Sequence, residues 1–284
     1  MVNYNVENLF HPAHDSLKDD IEWTPSGERH WSYTRYHRKV ESIARVLTNI
    51  GEWDGVDIVG LQEVENALCI KRLCYTLRRG EYDFVHYESP DRRGIDVALM
   101  YKKSRVDTLR TRAIKVDGER LITRDILYVC ARIDKRDTIH CFVCHLPSQR
   151  GGAAESEWKR ELAKQVLERA VDSVYAIHPD AKIIVMGDMN SGELTLKGLK
   201  DERMKGEGTH KYQGRWTFLD HFYLSPAIDS LSHAAVYDAE WIMEPDDKYM
   251  GLRPKRTYNG FRYQDGYSDH LPIILSLFLA PPAN

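Results

Sequence analysis

Polar side chains that bind metals or activate water lie at the ends of four hydrophobic runs of this sequence. They occur in the segments Tyr4-Asn5-Val6-Glu7, Leu61-Gln62-Glu63, Gly187-Asp188-Met189-Asn190 and Ser268-Asp269-His270. Strand ends are where an open sheet presents side chains to a ligand. Acids, amides and a histidine gathered at one sheet edge are the groups that a metal-assisted phosphoryl hydrolase needs. The sequence therefore predicts a site of this kind.

Two carboxylates carry most of this prediction. Asp188 and Asn190 end the predicted strand over residues 182–186, and strand alternation puts them on the same side, where they could hold a water molecule and a phosphoryl oxygen. Asp and Asn also favour turns for local reasons, so a simple turn is the alternative. Glu63 follows the apolar run 56–61. A carboxylate buried there needs a cation such as Mg²⁺, whereas a solvated one does not.

Two histidines are candidates for the same site. Asp220 is a charge inside the apolar run 218–224, and a buried Asp paired with His270 would fix the tautomer of the ring and raise its basicity. An ion pair between Asp220 and a lysine or arginine is the alternative. His145 ends the predicted strand over residues 138–145, where a histidine is either catalytic or structural.

Two arginines are candidates for binding phosphate oxygens. Arg124 opens the predicted strand over residues 123–133, and it either clamps a phosphate or pairs with groups around Asp125. Arg93 lies beside a glycine in the segment 91–96, which is typical of an anion-binding loop and equally of an exposed turn.

The elements that must position these residues alternate between strand and helix in the first third of the chain, and the middle is strand-rich. Apolar spacing predicts helices over residues 33–50, 68–77 and 154–177, and strands over residues 2–6, 56–61, 82–87, 97–101, 106–114, 123–133, 138–145, 182–186, 218–224, 234–241 and 273–279. Residues 12–30 and 192–214 carry little pattern and are predicted to be surface excursions. This pattern predicts an α/β (α+β) fold in which two packed mixed sheets have helices outside, in one domain over residues 1–284.

Composition limits the partners of the protein. The chain is 42% hydrophobic and 29% charged, as is ordinary for a soluble globular protein, and it has no apolar run long enough to cross a bilayer. Its 40 basic and 43 acidic residues give a net charge of −3, which does not favour nucleic acid as the partner. We expect a monomer. The first predicted strand begins almost at Met1, which is consistent with the removal of an upstream segment such as an export signal.

Cys141 and Cys144 form a C-x-x-C pattern within the predicted strand over residues 138–145. Residues three apart on a strand point to opposite faces, so the two sulfurs should diverge. We therefore predict buried free thiols here, and no zinc or redox site.

Taken together, these segments resemble the endonuclease/exonuclease/phosphatase superfamily, which includes deoxyribonuclease I. The order matches along essentially the whole chain: an Asn in the first strand, Gln-Glu after the next strand, an Arg and a His on middle strands, Gly-Asp-x-Asn, an Asp in a late strand, and Ser-Asp-His. The opening segment Tyr-Asn-Val-Glu-Asn-Leu-Phe and residues 208–216 look most like uncharacterised bacterial members.

The resemblance implies a four-layer, deoxyribonuclease I-like sandwich with its site between the two sheets. It also implies roles for the predicted residues. Glu63 would be the principal ligand of Mg²⁺ or Mn²⁺, with Asn5 and Asp269 in or beside the coordination shell. Asp188 would position or deprotonate the attacking water, and His270, oriented by Asp220, would contact the scissile phosphate and serve as acid or base. Asn190, His145 and Arg124 would bind phosphoryl oxygens. Whether Asp188 or His270 is the formal base stays open.

Two residues depart from the pattern of the superfamily. His221 follows Asp220 where relatives often carry Arg or Gln, and His210 stands where close relatives tend to have Tyr. Both are expected beside the cleft, so we expect this chain to differ from its relatives in its substrate.

The sequence thus predicts a divalent-metal-dependent phosphoesterase that acts on a phosphomonoester or phosphodiester. One alternative is an endonuclease or exonuclease acting on DNA or RNA, because the superfamily shares one catalytic set. The other alternative is a non-catalytic binding module on the same fold. That module would show gaps in the catalytic set, and the sequence shows none.

Overall fold

Two six-stranded sheets form the centre of the computed structural model, which describes residues 1–116, 121–148, 153–228 and 231–279. In chain order the strands are β1 (Val2–Leu9), β2 (Ile58–Val64), β3 (Tyr82–His86), β4 (Asp96–Lys102), β5 (Val106–Ile114), β6 (Ile126–Ile133), β7 (Asp137–His145), β8 (Lys182–Asp188), β9 (Lys200–Asp201), β10 (His210–Tyr212), β11 (Arg215–Thr217), β12 (Asp220–Leu224), β13 (His233–Val236), β14 (Met243–Pro245), β15 (Leu252–Pro254), β16 (Tyr258–Asn259), β17 (Arg262–Tyr263) and β18 (Ile273–Ser276). The helices are α1 (Tyr33–Gly51), α2 (Ala67–Arg78) and α3 (Ala153–Tyr175), with short 3₁₀ helices at Ile21–Trp23 and Glu240–Ile242.

Both large sheets are mixed, and each has a parallel pair near its middle. The first sheet has the strand order β13-β18-β1-β2-β4-β3, with β1 and β2 parallel, and the second has the order β5-β6-β7-β8-β12-β9, with β7 and β8 parallel. Parallel neighbours end at the same edge of a sheet, so the side chains that follow them are delivered together.

Three apolar clusters separate four layers. One cluster, which includes Leu99, Val129 and Met186, fills the space between the two sheets. A second cluster packs α1 and α2 on the outer face of the first sheet, and a third packs α3 on the outer face of the second. The predicted fold class, two mixed sheets with helices outside, is confirmed.

The cysteines of the C-x-x-C pattern lie on opposite faces of β7. Cys141 belongs to the cluster between the sheets, whereas Cys144 belongs to the cluster under α3, and both are buried free thiols. The prediction that the two sulfurs diverge and are buried as free thiols is therefore confirmed. Within the described residues, no helix combines the length and the apolar character that crossing a membrane requires.

The predicted boundaries differ from the structure mainly where backbone and side chains make irregular contacts. The strand predicted over residues 123–133 begins only at Ile126, because Arg124 is drawn into contacts with backbone carbonyls of another segment. The strand predicted over residues 234–241 ends at Val236 and gives way to a 3₁₀ helix. Residues 192–214, expected to be patternless, contain the two short strands β9 and β10.

Gly187 lies on β8 directly before Asp188, and its register partner on β7 is Cys144. Its φ is +153°, and a Cβ at this position would collide with the backbone of Cys144, above all with its carbonyl oxygen. The clash is between backbone atoms of paired strands, so β7 and β8 must move apart if a side chain is added at Gly187.

We expect Gly187→Ala to lower the free energy of unfolding by about 3 kcal/mol, because it overpacks two paired backbones. Urea denaturation measures this change. The matched control is Gly206→Ala, since Gly206 has a positive φ of +122° but no atom within 4 Å of the place that a Cβ would take. The control should lose about 1 kcal/mol from backbone strain alone. Equal losses in the two variants would show that the close approach has no energetic weight.

Candidate functional site

Irregular backbone at the ends of β1 and β2 aims the first polar side chains of the site. The β1–β2 register shifts between Asn5 and Leu9, where Glu7 and Asn8 adopt φ values of +52° and +53°. Glu63 has φ +64° at the irregularity between β2 and β4. The two distortions are joined, because the backbone N–H of Asn8 donates to Glu63 Oε2 at 2.9 Å. Bulges re-aim side chains beside functional sites, and here they turn Glu63 toward the space above the sheets.

Asp188 lies at the centre of the site. It is buried, and its Oδ2 accepts a hydrogen bond of 3.0 Å from Asn5 Nδ2, which links the first sheet to the second. Its Oδ1 accepts a hydrogen bond of 2.9 Å from the backbone N–H of Asn190. Burial raises the pKa of Asp188 to about 7, and Asp220 adds to this shift, while His270 and the two hydrogen bonds oppose it.

His270 lies between two carboxylates. Its Nδ1 lies 2.7 Å from Asp220 Oδ2, and its Nε2 lies 3.8 Å from Asp188 Oδ2. Burial disfavours the charged ring, but Asp220 and Asp188 outweigh it and raise the pKa of His270 well above the usual value. Asp220 thus accepts a hydrogen bond from Nδ1–H of His270, which directs Nε2 toward Asp188 and the pocket.

His145 approaches Asp188 from the parallel neighbour strand. The register of β7 with β8 pairs these two residues, and His145 Nε2 lies 3.5 Å from Asp188 Oδ2 and 3.9 Å from Glu63 Oε1. The loop that follows β7 is held by Asn190, whose Nδ2 donates to the Leu146 carbonyl at 2.9 Å. Asn190 has φ +49°, so it turns the chain directly after Asp188.

The structure does not bring Arg124 into the pocket. Its guanidinium is buried and donates to the carbonyls of His145 and Leu146 and, at 3.1 Å, to Asp91 Oδ2. Arg124 therefore fixes the strand end that carries His145 and ties it to the loop that carries Arg93. The carboxylate that Arg124 contacts is that of Asp91.

A pocket of about 640 Å³ collects these groups. Its lining includes seven of the residues predicted from the sequence, namely Glu63, Arg93, His145, Asp188, Asn190, Asp269 and His270. Asn5 and Asp220 lie behind it, in contact with Asp188 and His270. The lining also includes residues that were not predicted from the sequence, namely Asn8, Ser148, Tyr212, Thr217, Leu219 and Arg256. These residues come from loops and short strands with no periodic signal.

A buried lysine lies beneath the acids of the first sheet, and sequence reasoning missed it too. Lys39 of α1 donates to Thr257 Oγ1 and to the Tyr267 carbonyl, both at 2.5 Å. Burial lowers its pKa to about 8, against the opposing effect of Glu7. Burial and the nearby Asp269 raise the pKa of Glu7 to about 7. The only sequence signal is the position of Lys39 next to the apolar stripe of α1.

The donor atoms around the pocket suit a divalent cation. Glu63 Oε2 accepts from Asn8, while Oε1 lies 3.9 Å from His145 Nε2, too far for a hydrogen bond. His210, Asp269 and His270 offer donor atoms that lie within 4.8 Å of one another. Carboxylate oxygens are the ligands that Mg²⁺ and Mn²⁺ prefer.

The two histidines that depart from the superfamily pattern have different surroundings. The ring of His210 packs on that of His270 with centroids 4.8 Å apart, and burial, together with His270, lowers its pKa to about 4. His221 lies outside the pocket lining. Its Nδ1 is 3.2 Å from Asp201 Oδ1, and its Nε2 is within 3.2 Å of the carbonyls of Ser191 and Phe218. Both nitrogens of His221 thus face acceptors.

Comparison with known proteins gives one family match and many similar folds. A model of the endonuclease/exonuclease/phosphatase family matches residues 1–198 and 196–278. A mannosyl-6-phosphatase from Bacteroides thetaiotaomicron has a TM-score of 0.62 at 16% identity over 98% of both chains. Truncated TDP2 from Caenorhabditis elegans has a TM-score of 0.62 at 17% identity, covering 87% of this chain and 93% of that one. An endonuclease/exonuclease/phosphatase from Bacteroides vulgatus has a TM-score of 0.63 at 13% identity over 98% of both chains. No curated protein sequence matches.

The surroundings of His221 predict a pH dependence of stability. Burial opposes its charge, but the hydrogen bond and charge of Asp201 outweigh burial and raise the pKa of His221 above 6.5. A raised pKa in the folded state contributes stability that is fully present below the unfolded pKa and is lost as the pH rises through the folded pKa. We expect His221→Gln to flatten this part of the stability profile as the pH rises above about 6.5. Urea midpoints across that range measure it, with the exposed His233→Gln as control, and an unchanged wild-type profile in His221→Gln would contradict it.

Proposed function

Because the chain belongs to the endonuclease/exonuclease/phosphatase family, we propose that it is a divalent-metal-dependent phosphoesterase in which a water molecule attacks the phosphorus. The observation that carries this proposal is the convergence of Glu63, Asp188 and Asp269 with His145 and His270 on one pocket. Three acids facing one cavity repel one another, and a divalent cation relieves that repulsion.

Mg²⁺ or Mn²⁺ is the proposed cofactor. Glu63 and Asp269 would hold it, and Asn5 would lie beside it, since the Asn5 amide oxygen accepts from Glu7 and its nitrogen donates to Asp188. When bound, the cation would polarise a phosphoryl oxygen and offset the charge that develops during attack. Lys39 is buried beneath Glu7, so its positive charge also offsets the negative charge of these acids.

Asp188 and His270 are the groups proposed to handle the proton of the attacking water. Asp188 is held from both sides by Asn5 and the Asn190 amide, so its carboxylate cannot rotate away from the pocket. With a pKa of about 7 it can exchange a proton near neutral pH. His270 is oriented by Asp220 and presents Nε2 to the same space, which suits it to donate a proton or to stabilise the scissile phosphate.

Asn190, His145 and Arg93 are proposed to contact phosphate oxygens, because all three line the pocket. Arg124 is proposed as a positioning residue, since its guanidinium is occupied by Asp91 and two carbonyls. In this arrangement Arg124 couples the orientation of His145 to the position of the Arg93 loop.

The proposed substrate is a small phosphate ester. The pocket of about 640 Å³ is of the size that encloses a small molecule. Its lining includes the arginines Arg93 and Arg256, which suffice for one or two anionic groups. A relative with the same fold is a mannosyl-6-phosphatase, so a sugar phosphomonoester is the first substrate class to test. The net charge of −3 supports this preference over long DNA or RNA.

The test is hydrolysis of a panel of sugar phosphates, chromogenic phosphomonoesters and phosphodiesters, and plasmid DNA across a salt series. We expect small-ester hydrolysis that stops in excess chelator, returns with Mg²⁺ or Mn²⁺, and depends weakly on salt. Plasmid cleavage would instead fall by about 0.9 log units per log of salt for each phosphate neutralised.

Glu63→Gln should lose metal-dependent turnover without unfolding, because the side chain keeps its shape and its acceptor for the Asn8 amide. Glu41→Gln on the exposed side of α1 is the matched control and should keep wild-type activity. Full activity in excess chelator would exclude the metal mechanism. Plasmid cleavage with a steep salt slope and no small-ester activity would make the protein a nuclease.

Asp220 and His270 should behave as one catalytic unit. Asp220→Asn and His270→Ala should each lower kcat by about 10² to 10⁴, since each removes the oriented ring from the reaction. The double variant should be little worse than the worse single variant, because residues that act as a unit are non-additive. Single-turnover rates of the four proteins measure this. Losses that multiply in the double variant would show that the two residues act independently.

A further inference from the structure

A second group of metal-ligating side chains lies outside the pocket, where β3 ends and β4 begins. His86 is paired with Ala98 across these antiparallel strands, and Asp96 lies two residues before Ala98. His86 and Asp96 therefore project from the same face of the sheet. Glu88 follows His86 by two residues. One donor atom from each of His86, Glu88 and Asp96 lies within 4.8 Å of the other two.

Two atoms of this group are buried without a hydrogen-bond partner among the described residues. They are His86 Nε2 and Asp96 Oδ2, which belong to side chains only 3% and 1% exposed. The other oxygen of Asp96 is used, since Oδ1 accepts from the Ser89 amide at 3.1 Å. A buried carboxylate oxygen and a buried ring nitrogen without hydrogen bonds are costly. These two atoms face each other at 3.5 Å, which is longer than a good hydrogen bond.

We propose that His86, Glu88 and Asp96 bind a divalent transition metal of the Zn²⁺ class. His86 Nε2 and Asp96 Oδ2 lie 3.5 Å apart. Two ligands at the usual distances from a tetrahedral Zn²⁺ lie about 3.4 Å apart, so these atoms have the separation that the ion needs. Imidazole with carboxylates favours Zn²⁺ over Mg²⁺, which prefers oxygen ligands alone.

The third ligand gives the site its access to solvent. The Glu88 side chain is 54% exposed, so an ion can enter from that side and keep water in its open coordination position. Lys18 lies 3.7 Å from Glu88 Oε2 and donates to the Ser89 carbonyl. An ion pair this exposed is weak, and it leaves Glu88 able to turn toward a metal.

The site would fix the loop between Glu88 and Asp96 at both ends. This loop carries Asp91, which holds Arg124, and Arg93, which lines the pocket. A metal bound to both ends of the loop would therefore act as a structural ion. Its binding does not depend on the proposed function, because none of its ligands lines the pocket.

Zn²⁺ binding by variants tests the proposal, with Asp269→Asn as the background because Asp269 belongs to the other cluster. Equilibrium dialysis and elemental analysis should show that the Asp269→Asn variant holds one more Zn²⁺ than the double variants Asp96→Asn/Asp269→Asn and His86→Gln/Asp269→Asn. Asp96→Asn keeps an acceptor for the Ser89 amide, so the fold should survive. Asp83→Asn/Asp269→Asn, changed at an exposed position of β3, is the matched control and should keep the ion.

A second measurement reads the loop directly. Trypsin cleaves after Arg92 and Arg93, and Zn²⁺ should slow this cleavage at least several-fold in Asp269→Asn but not in Asp96→Asn/Asp269→Asn. Zn²⁺ should also raise the unfolding temperature of Asp269→Asn, by on the order of 5 °C at a large excess over Kd. Equal Zn²⁺ contents and equal cleavage rates in these two proteins would overturn the proposal and leave His86 and Asp96 as an ion pair only.

Discussion

Negative charge held away from water between two sheets is the constraint on which this structure depends. Asp188 and Asp220 are buried at adjacent positions of β8 and β12, and Glu7 is buried behind the first sheet. Charges in such surroundings persist only when they are paired and hydrogen-bonded. The protein meets this requirement with one imidazolium between two carboxylates, an amide from the opposite sheet and a buried lysine. Each of these partners also holds a reactive group in place.

The fold and most of the site can be predicted from the sequence because their signals are local. Strand alternation and helical spacing locate the core elements, and polar residues at the ends of apolar runs mark Glu63, Asp188 and His270. Asp220 is identifiable because a charge inside an apolar strand needs a partner. The roles assigned to these residues come from the resemblance to a superfamily, since spacing alone does not distinguish a ligand from a turn.

The remaining features depend on contacts between distant segments, which leave no local pattern. The sequence leaves open whether Arg124 clamps a phosphate or pairs with groups around Asp125, whereas in the structure it donates to Asp91 and to the strand end that carries His145. Lys39 resembles an ordinary helix residue beside an apolar stripe, yet it lies under residues from the last part of the chain. The positive φ angles of Glu7, Asn8 and Glu63 arise at irregularities between strands. Residue type favours such an angle only at Asn8.

The pairing of β1 has a consequence for how the protein matures. β1 lies between β2 and β18 in the first sheet, so an early strand of the chain is completed by a late one. During synthesis the edge of β1 at Val2 and Asn3 stays unpaired until Ile273 and Ile274 have been made. Exposed strand edges invite pairing with other chains. Until β18 is available, the edge of β1 at Val2 and Asn3 is the part of this strand that is open to such pairing.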